Sequence, residues 1–285
     1  MRIACLFLYL AVALLPASAA SAQSASPQQA AFDRAIEDAK SAMTVADPRR
    51  ALGKSDLALE KAAALPPRQA EIGRATALWL KVEAYMGLNR LADAEELLKV
   101  ALPLAKRYAP NTKLHGDLMR SSGGLAGLQG KMQQALRDSL AAYRIFRAAG
   151  EERSQAITLQ DIGQLYWEAG DYERMLRYYD QAQDLYDDEP GISMTNHNNR
   201  GEALRMLGRA EEAESEYKLA LAKARELGSA LMEMRIVSNL AYIQAELGKF
   251  ADAQRNAERA RNLSEIEELG DWRSHVYGTL AKIAA

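Results

Sequence analysis

Histidine is the side chain of this sequence with the widest chemical range, because imidazole ligates metals and transfers protons near neutral pH. The three histidines are His115, His197 and His275, each about eighty residues from the next. If neighbouring helices pack about 8–10 Å apart, residues separated by so much chain should lie tens of ångströms from one another. The spacing therefore argues against a shared metal site or a catalytic triad, and no HExxH or nucleophile-elbow motif is present.

A glycine-rich run at residues 121–131 (SSGGLAGLQGK) could be taken for a phosphate-binding loop. Gly124 and Gly130 are one residue too far apart for that motif, Met132 stands where Ser or Thr is required, and no strand is expected before the run. We therefore interpret the run as part of a helix with close neighbours. Because glycine inside a helix costs up to about 1 kcal/mol relative to alanine, this helix should be the least stable one, and a hinge there is the alternative interpretation.

Pairs of adjacent carboxylates, such as Glu95–Glu96 and Glu211–Glu212, could in principle serve general acid–base chemistry. Both pairs fall where second helices of hairpins are expected to begin, and negative charge is favourable at a helix N-terminus. We therefore interpret them as solvated helix starts. No catalytic residue, metal ligand or cofactor site is assigned, and we predict that the chain is not an enzyme.

The elements that must position any site are revealed by an internal repeat. Two positions seven residues apart recur every 38 to 43 residues, and eleven of these twelve positions are alanine. The positions are Ala51, Ala58, Ala94, Ala101, Ala135, Ala142, Met175, Ala182, Ala213, Ala220, Ala253 and Ala260. A period near 40 indicates a solenoid of stacked helical units, since a single unit cannot bury its own apolar stripe.

Each unit has the pattern of a helical hairpin, which is clearest at residues 156–185. Apolar residues recur with a helical period over residues 157–166. Gly170 is then expected to end the first helix in a left-handed conformation, and Asp171 to cap the second helix. Small residues such as Gly163 should let the two helix backbones approach closely.

The pattern resembles the tetratricopeptide repeat. The resemblance is carried by Gly163, Tyr166, Gly170, Tyr172, Ala182, Gly201, Gly208, Ala213, Tyr217, Ala220, Gly248, Phe250, Ala253 and Ala260, and more weakly by Tyr85, Ala94, Ala101, Gly130, Ala135 and Ala142. It implies an all-α fold, a right-handed α-solenoid of about five to six antiparallel helical hairpins with a C-terminal capping helix. The units exceed the usual length of about 34 residues and look more like the extended repeats of bacterial signalling regulators. The family implies a general role as a protein-binding scaffold.

The expected domain boundaries follow from this register. A signal peptide (1–22) and a short linker (23–27) precede the solenoid (28–285). The solenoid is divided into a degenerate first hairpin (28–67), five repeats (72–110, 113–150, 154–190, 192–228 and 232–268) and a capping helix (271–285).

The first residues indicate export. The apolar stretch from Ala4 to Leu15 is too short to span a bilayer, and the small residues that follow suit cleavage before Gln23. We therefore expect a periplasmic or secreted protein with no membrane span after cleavage, and an uncleaved anchor is the alternative. A formal net charge of −2 provides no basic field for phosphates, so nucleic acid is not predicted as a partner.

Ligand contacts in the tetratricopeptide family lie on the concave surface formed by first helices. The candidates are therefore first-helix residues, polar or aromatic, that are expected to point away from the buried stripe. They are Arg120, Gln160, Gln164, Trp167, Asn198, Asn199, Glu202, Arg205, Arg235, Ser238, Asn239 and Tyr242. Asn and Thr are mediocre helix formers, so their presence in the run from Thr195 to Arg200 suggests that these side chains make hydrogen bonds to a ligand. Helix capping near Thr195 explains part of this pattern.

Some tetratricopeptide domains hold a peptide's terminal carboxylate with Lys and Asn residues of consecutive first helices. The corresponding positions here are Gln160, Gln164, Asn199, Arg235 and Asn239, and two of the five depart from that clamp. We predict instead a groove of mixed polarity for an extended peptide or a partner helix, with Trp167 and Tyr242 as anchors. The alternative function is a sensory module that binds a small polar ligand, which a closed pocket under Trp167 would favour.

Overall fold

The computed structural model describes residues 26–44, 47–186 and 189–266, and these residues form twelve α-helices and no strand. The helices are α1 (Pro27–Thr44), α2 (Pro48–Ala62), α3 (Pro67–Gly87), α4 (Leu91–Tyr108), α5 (Lys113–Leu128), α6 (Met132–Ala149), α7 (Glu152–Glu168), α8 (Tyr172–Leu185), α9 (Pro190–Met206), α10 (Ala210–Glu226), α11 (Ala230–Glu246) and α12 (Phe250–Ile266). Within each unit, consecutive helices pack as antiparallel pairs. The all-α, hairpin-based fold class predicted from the sequence is confirmed.

The recurring positions of the repeat all lie on second helices and are all buried. Each of the eleven alanines, together with Met175 on α8, exposes at most 1% of its surface. Alanine keeps this contact close because its methyl group fills the space between helix axes without separating them. The periodicity read from the sequence therefore marks the line along which hairpins interlock.

The turn between α7 and α8 has the predicted geometry. Gly170 has a φ of +72°, in the left-handed region that costs glycine nothing. Asp171 accepts a hydrogen bond from the Arg174 backbone N–H at 3.0 Å, so it caps α8.

Small residues also act as predicted where helices of one hairpin cross. A Cβ added to Gly163 would lie 3.0 Å from the Tyr179 ring, and one added to Gly201 would lie 2.8 Å from the Tyr217 ring. Both tyrosines are fully buried. Each aromatic ring therefore occupies the space that the glycine opposite leaves open.

The chain divides into two compact units, residues 1–154 (unit 1) and 155–285 (unit 2). In unit 1, one core cluster forms around Phe32 and Leu80 and a second around Val82 and Leu118. In unit 2 the core forms around tyrosine, methionine and isoleucine side chains of α8 to α11.

The glycine-rich run is helical as far as Leu128, as expected, and no strand precedes it among the described residues. A Cβ added to Gly123 would lie 2.4 Å from the Ser139 hydroxyl, so this glycine permits close packing of α5 on α6. The phosphate-loop interpretation is therefore excluded on structural grounds as well. A hinge in α5 stays a prediction.

Two sequence expectations need adjustment. The helix assigned to the repeat at 72–110 begins earlier, at Pro67, because Pro67 suits the first turn of a helix, where its missing N–H is not needed. Glu95 and Glu96 lie in the second turn of α4, which begins at Leu91, so only the Glu211–Glu212 pair opens a helix.

Some expected segments lie outside the described residues. They are the signal peptide (1–22), most of the linker (23–27) and the capping helix (271–285), the last of which contains His275. Within the described part of the chain, no helix is both long enough and apolar enough to cross a membrane.

Candidate functional site

The first helices of unit 2 carry polar side chains that bond to one another or to a neighbouring first helix, and we call this set the polar face. It consists of Gln160 on α7, Asn198, Asn199, Glu202 and Arg205 on α9, and Asn239 and Tyr242 on α11. Apart from Asn198, which is buried, these side chains are half-buried. Partly buried polar groups of this kind keep capacity for further hydrogen bonds while their positions are fixed by packing.

Side-chain amides link the three first helices. The Gln160 amide donates to the Ile192 carbonyl at 3.2 Å, which connects α7 to α9. The Asn239 amide donates to the Asn198 side-chain oxygen at 3.2 Å, and Asn198 donates in turn to Asn199 at 3.1 Å. Asn199 is therefore positioned by a chain of amides that begins on the neighbouring helix.

A charged cluster occupies the other end of α9. Arg205 binds the Glu202 carboxylate through two nitrogens, at 3.2 and 2.5 Å, and Tyr217 donates its hydroxyl to the same carboxylate at 3.0 Å. The Arg205 guanidinium carbon lies 5.2 Å from the centre of the Tyr242 ring. The cluster thus holds a guanidinium against an aromatic ring, an arrangement that attracts both planar and anionic groups.

The protonation states of this cluster are fixed. The hydrogen bonds to Glu202 outweigh burial and raise the pKa of Arg205. Burial, together with the nearby Glu202 charge, raises the pKa of Tyr217. At physiological pH the arginine is therefore a permanent cation and the tyrosine a neutral hydrogen-bond donor.

Two predicted site residues do not point away from the core. Ser238 exposes 2% of its surface, and its hydroxyl donates to the Met234 carbonyl of its own helix at 2.9 Å. Asn198 is also buried, at 9% exposure, and acts through Asn199 and Asn239. The expectation of an outward orientation was wrong for both, because α11 and α9 each pack against helices on more than one side.

The remaining predicted residues lie near this face or in the other unit. Trp167 is half-buried and packs against the unit 2 core. Gln164 and Arg235 are half-buried and take part in contacts of their own. Arg120 lies on α5 in unit 1, so the predicted set does not belong to a single unit.

Sequence reasoning missed a second polar cluster on the opposite side of α9. His197 lies 2.7 Å from Glu216 of α10, and Arg200 lies 3.3 Å from both Glu216 and Asp180 of α8. The run 195–200 could have indicated this cluster. Because a helix turns by about 100° per residue, six consecutive polar residues must include some that face the helices packed behind α9.

Unit 1 has a smaller buried cluster that was also missed. The Trp79 indole donates to the Ser121 hydroxyl at 3.1 Å, and that hydroxyl bonds to the buried carboxylate of Glu83. Glu83 stands eleven residues before Ala94, as Glu202 stands eleven before Ala213. Register alone could therefore have identified it.

The described residues contain no group of three side chains that could hold a metal ion. The His197–Glu216 pair resembles the acid–base part of a catalytic triad. The hydroxyl one turn away on α9, that of Ser193, is buried and makes no hydrogen bond among the described residues, to His197 or otherwise. The His197–Glu216 pair therefore does not activate this hydroxyl.

Antiparallel hairpins with interlocking alanines and a polar face on the first helices define an α-helical repeat protein. The tetratricopeptide repeat model matches residues 117–188 and 192–283, together more than half of the chain. The chain therefore belongs to the tetratricopeptide repeat family. No curated protein matches it in sequence.

Solved structures share the fold at low sequence identity. The apo form of the quorum sensor NprR from B. thuringiensis is 14% identical, with a TM-score of 0.69 over 87% of this chain and 68% of that one. A Rap protein complexed with Competence and Sporulation Factor is 16% identical, with a TM-score of 0.66 over 89% and 76%. The STAND protein PH0952 from Pyrococcus horikoshii, described as having a tetratricopeptide repeat sensor, is 17% identical, with a TM-score of 0.68 over 89% of this chain but 41% of that one.

Proposed function

We propose that this chain is an exported scaffold, periplasmic or secreted, whose polar face in unit 2 binds an extended peptide or a partner helix. The observation that carries the proposal is the amide chain from Asn239 through Asn198 to Asn199. Fixed amides offer a donor and an acceptor each, which suits the alternating groups of a peptide backbone.

The charged end of the polar face supplies the anchor. Arg205 is held by Glu202 and lies over the Tyr242 ring, and arginine and tyrosine are among the residues that contribute most to protein interfaces. Both side chains are already positioned, so little conformational entropy is lost when a partner binds. Two structural neighbours support a peptide partner, since one is named a quorum sensor and the other is complexed with Competence and Sporulation Factor.

The binding proposal is tested by site-specific photocrosslinking. A photoreactive phenylalanine analogue at Asn199 should crosslink a defined partner, whereas the same analogue at Gln254, an exposed residue of α12, should not. The crosslinked segment is then synthesised as a fluorescent peptide. Asn199→Ala should weaken its binding about tenfold, as expected for loss of a hydrogen bond whose partners stay buried, and Gln254→Ala should leave it unchanged.

Equal crosslinking from both positions, or equal affinity of both variants, would refute the polar face as the binding site. Export is tested separately by fractionation and N-terminal sequencing. We expect a mature chain that begins at Gln23, outside the cytoplasm. An intact Met1 in the cytoplasm would refute export and leave the binding proposal standing.

A further inference from the structure

A cavity of about 290 Å³ opens between α8, α9 and α10 of unit 2, on the side of α9 away from the polar face. Leu176 and Leu204 form its apolar part. The other lining residues are polar or charged: Asp180, Arg200, Arg209, Glu212, Ser215 and Glu216. Trp167 is not among its lining residues, so it is not the closed pocket that would favour the small-ligand alternative, and none of its lining residues belongs to the polar face. The cavity therefore needs an explanation separate from peptide binding.

Arg200 has donor capacity that the protein does not use. Its Nη2 atom lies 3.3 Å from one oxygen of Asp180 and 3.3 Å from one of Glu216, and its buried Nε finds no acceptor among the described residues. Arg205 and Arg209 in the same unit each bind a glutamate through two nitrogens. The Nε atom is enclosed by protein, but Arg200 lines the cavity with a side chain that is 23% exposed, so its other N–H groups can bind an acceptor there.

Asp180 can accept further hydrogen bonds, just as Arg200 can donate them. Its side chain is 46% exposed toward solvent, and the Arg200 contact is its ion pair. Burial raises its pKa, the charges of Asp184 and Glu216 add to that effect, and Arg200 opposes it. A cationic or hydrogen-bond-donating group in the cavity would therefore be stabilised beside Asp180.

We propose that this cavity binds a small zwitterion of the α-amino-acid class. The ligand's carboxylate lies against the Arg200 guanidinium, its ammonium group lies against Asp180, and its side chain packs on Leu176 and Leu204. A purely anionic ligand would be repelled by the three carboxylates of the lining, and a purely cationic one by its two guanidinium groups. Ligand sites commonly start at about 300 Å³, so this half-open cavity has room for a free amino acid.

The test is a panel of the common amino acids at millimolar concentration against the purified chain, read by thermal unfolding and then by calorimetry. At least one amino acid should raise the melting temperature and bind with one-to-one stoichiometry. Its methyl ester and its N-acetyl derivative should each bind at least about tenfold more weakly, because each removes one charge-assisted contact.

Three variants locate the site. Ser215→Phe places a ring into the cavity from an exposed position of α10 and should abolish amino-acid binding. Asp180→Asn should weaken it about tenfold. Asp184→Asn, an exposed carboxylate one turn along α8, is the matched control and should bind as the parent does.

The proposal is overturned if no amino acid binds, if the methyl ester binds as well as the parent compound, or if Ser215→Phe keeps full binding with an unchanged melting temperature. Peptide binding at the polar face should survive Ser215→Phe, so the two proposals fail independently.

Discussion

The two units place different side-chain pairs at the same point of the hairpin. Sixteen residues separate the paired positions, which are Val82 and Leu98 in unit 1 and Gly201 and Tyr217 in unit 2. Leu98 ends in methyl groups, whereas Tyr217 carries its hydroxyl through to Glu202. When the first helix carries glycine and the second helix tyrosine, the tyrosine hydroxyl therefore reaches the glutamate of the first helix. When the pair is valine and leucine, that glutamate receives no hydrogen bond from the second helix.

The glutamates at the equivalent register show the consequence. Glu202 receives three hydrogen bonds, from Arg205 and Tyr217, whereas Glu83 receives one, from Ser121. Met86 and Leu98 stand in unit 1 where unit 2 has Arg205 and Tyr217. The same backbone position is thus a rigid charged cluster in one unit and a buried carboxylate with a single donor in the other.

The largest expected effect comes from filling the space beside Tyr217. Gly201→Val should destabilise the protein by about 3 kcal/mol, because even a Cβ would lie 2.8 Å from the tyrosine ring. Adding Tyr217→Leu, which copies the Val82–Leu98 pair, should restore more than half of that loss. Urea denaturation measures both, with Gly53→Ala as a control, since nothing lies within 4 Å of a Cβ there. Failure of the double variant to recover would show that the pairs are not interchangeable.

The next effect tests the single donor of Glu83. Ser121→Ala should destabilise the protein by about 2 kcal/mol, because the buried carboxylate then loses its hydrogen bond. Ser122→Ala removes the half-buried neighbouring hydroxyl, which bonds to Asp138, and should cost less. Equal losses in the two variants would contradict the special position of Glu83.

A third comparison concerns acid stability. Glu95 and Glu214 each follow a repeat alanine and each lie near a lysine four residues later. Glu95 is 40% exposed and Glu214 is 6% exposed. Burial opposes ionisation of Glu214, but hydrogen bonds from Lys249, Lys218 and Gln244 outweigh it and lower its pKa to about 2 from an ordinary value of 4.5.

Because the folded pKa is the lower one, Glu214 stabilises the protein fully above pH 4.5 and loses this contribution as pH falls toward 2. The lysines are exposed to solvent, so we expect a loss of about 1 to 2 kcal/mol after screening. Glu214→Gln should flatten the decline in urea stability between pH 5 and 3. Glu95→Gln should flatten it much less, because the hydrogen bond from Gln129 and the nearby lysines that lower the pKa of Glu95 act on a solvent-exposed carboxylate. A similar effect of the two variants would show that burial does not distinguish these carboxylates.

The smallest expected effect is that of Tyr217→Phe, which removes only the hydroxyl bonded to Glu202 and should cost about 1 kcal/mol. The same measurement in Glu202→Gln, where an amide replaces the carboxylate, should show a reduced penalty for Tyr217→Phe. If the two changes are additive, the hydroxyl does not act through Glu202.

Much of the fold could be predicted from the sequence, since it depends on local signals. The alanine spacing located every hairpin, and Gly170 and Asp171 marked a turn, because left-handed backbone and helix capping are decided within a few residues. All seven residues of the polar face were among the candidates chosen from the sequence, and their role in binding stays a prediction.

The rest could not be predicted, because it depends on which neighbour lies beside each side of a helix. Ser238 is expected to face outward when α11 is considered alone, but in the structure its side chain is buried. The contacts of His197 and Arg200 with α8 and α10 also join residues that helical periodicity alone does not relate. A first helix packed on several sides shows no single apolar stripe, so its polar residues carry no orientation signal.

The interlocking alanines have a consequence for how hairpins find their order. Eleven of the twelve recurring positions carry the same methyl group, so these contacts hold hairpins together but hardly distinguish one hairpin from another. Recognition of the correct neighbour must then come from polar pairs that occur once, such as Gln160 with Asn196 and Gln244 with Glu214. In this protein the buried alanines determine how closely the hairpins approach. The hydrogen bonds that occur once determine which hairpins become neighbours.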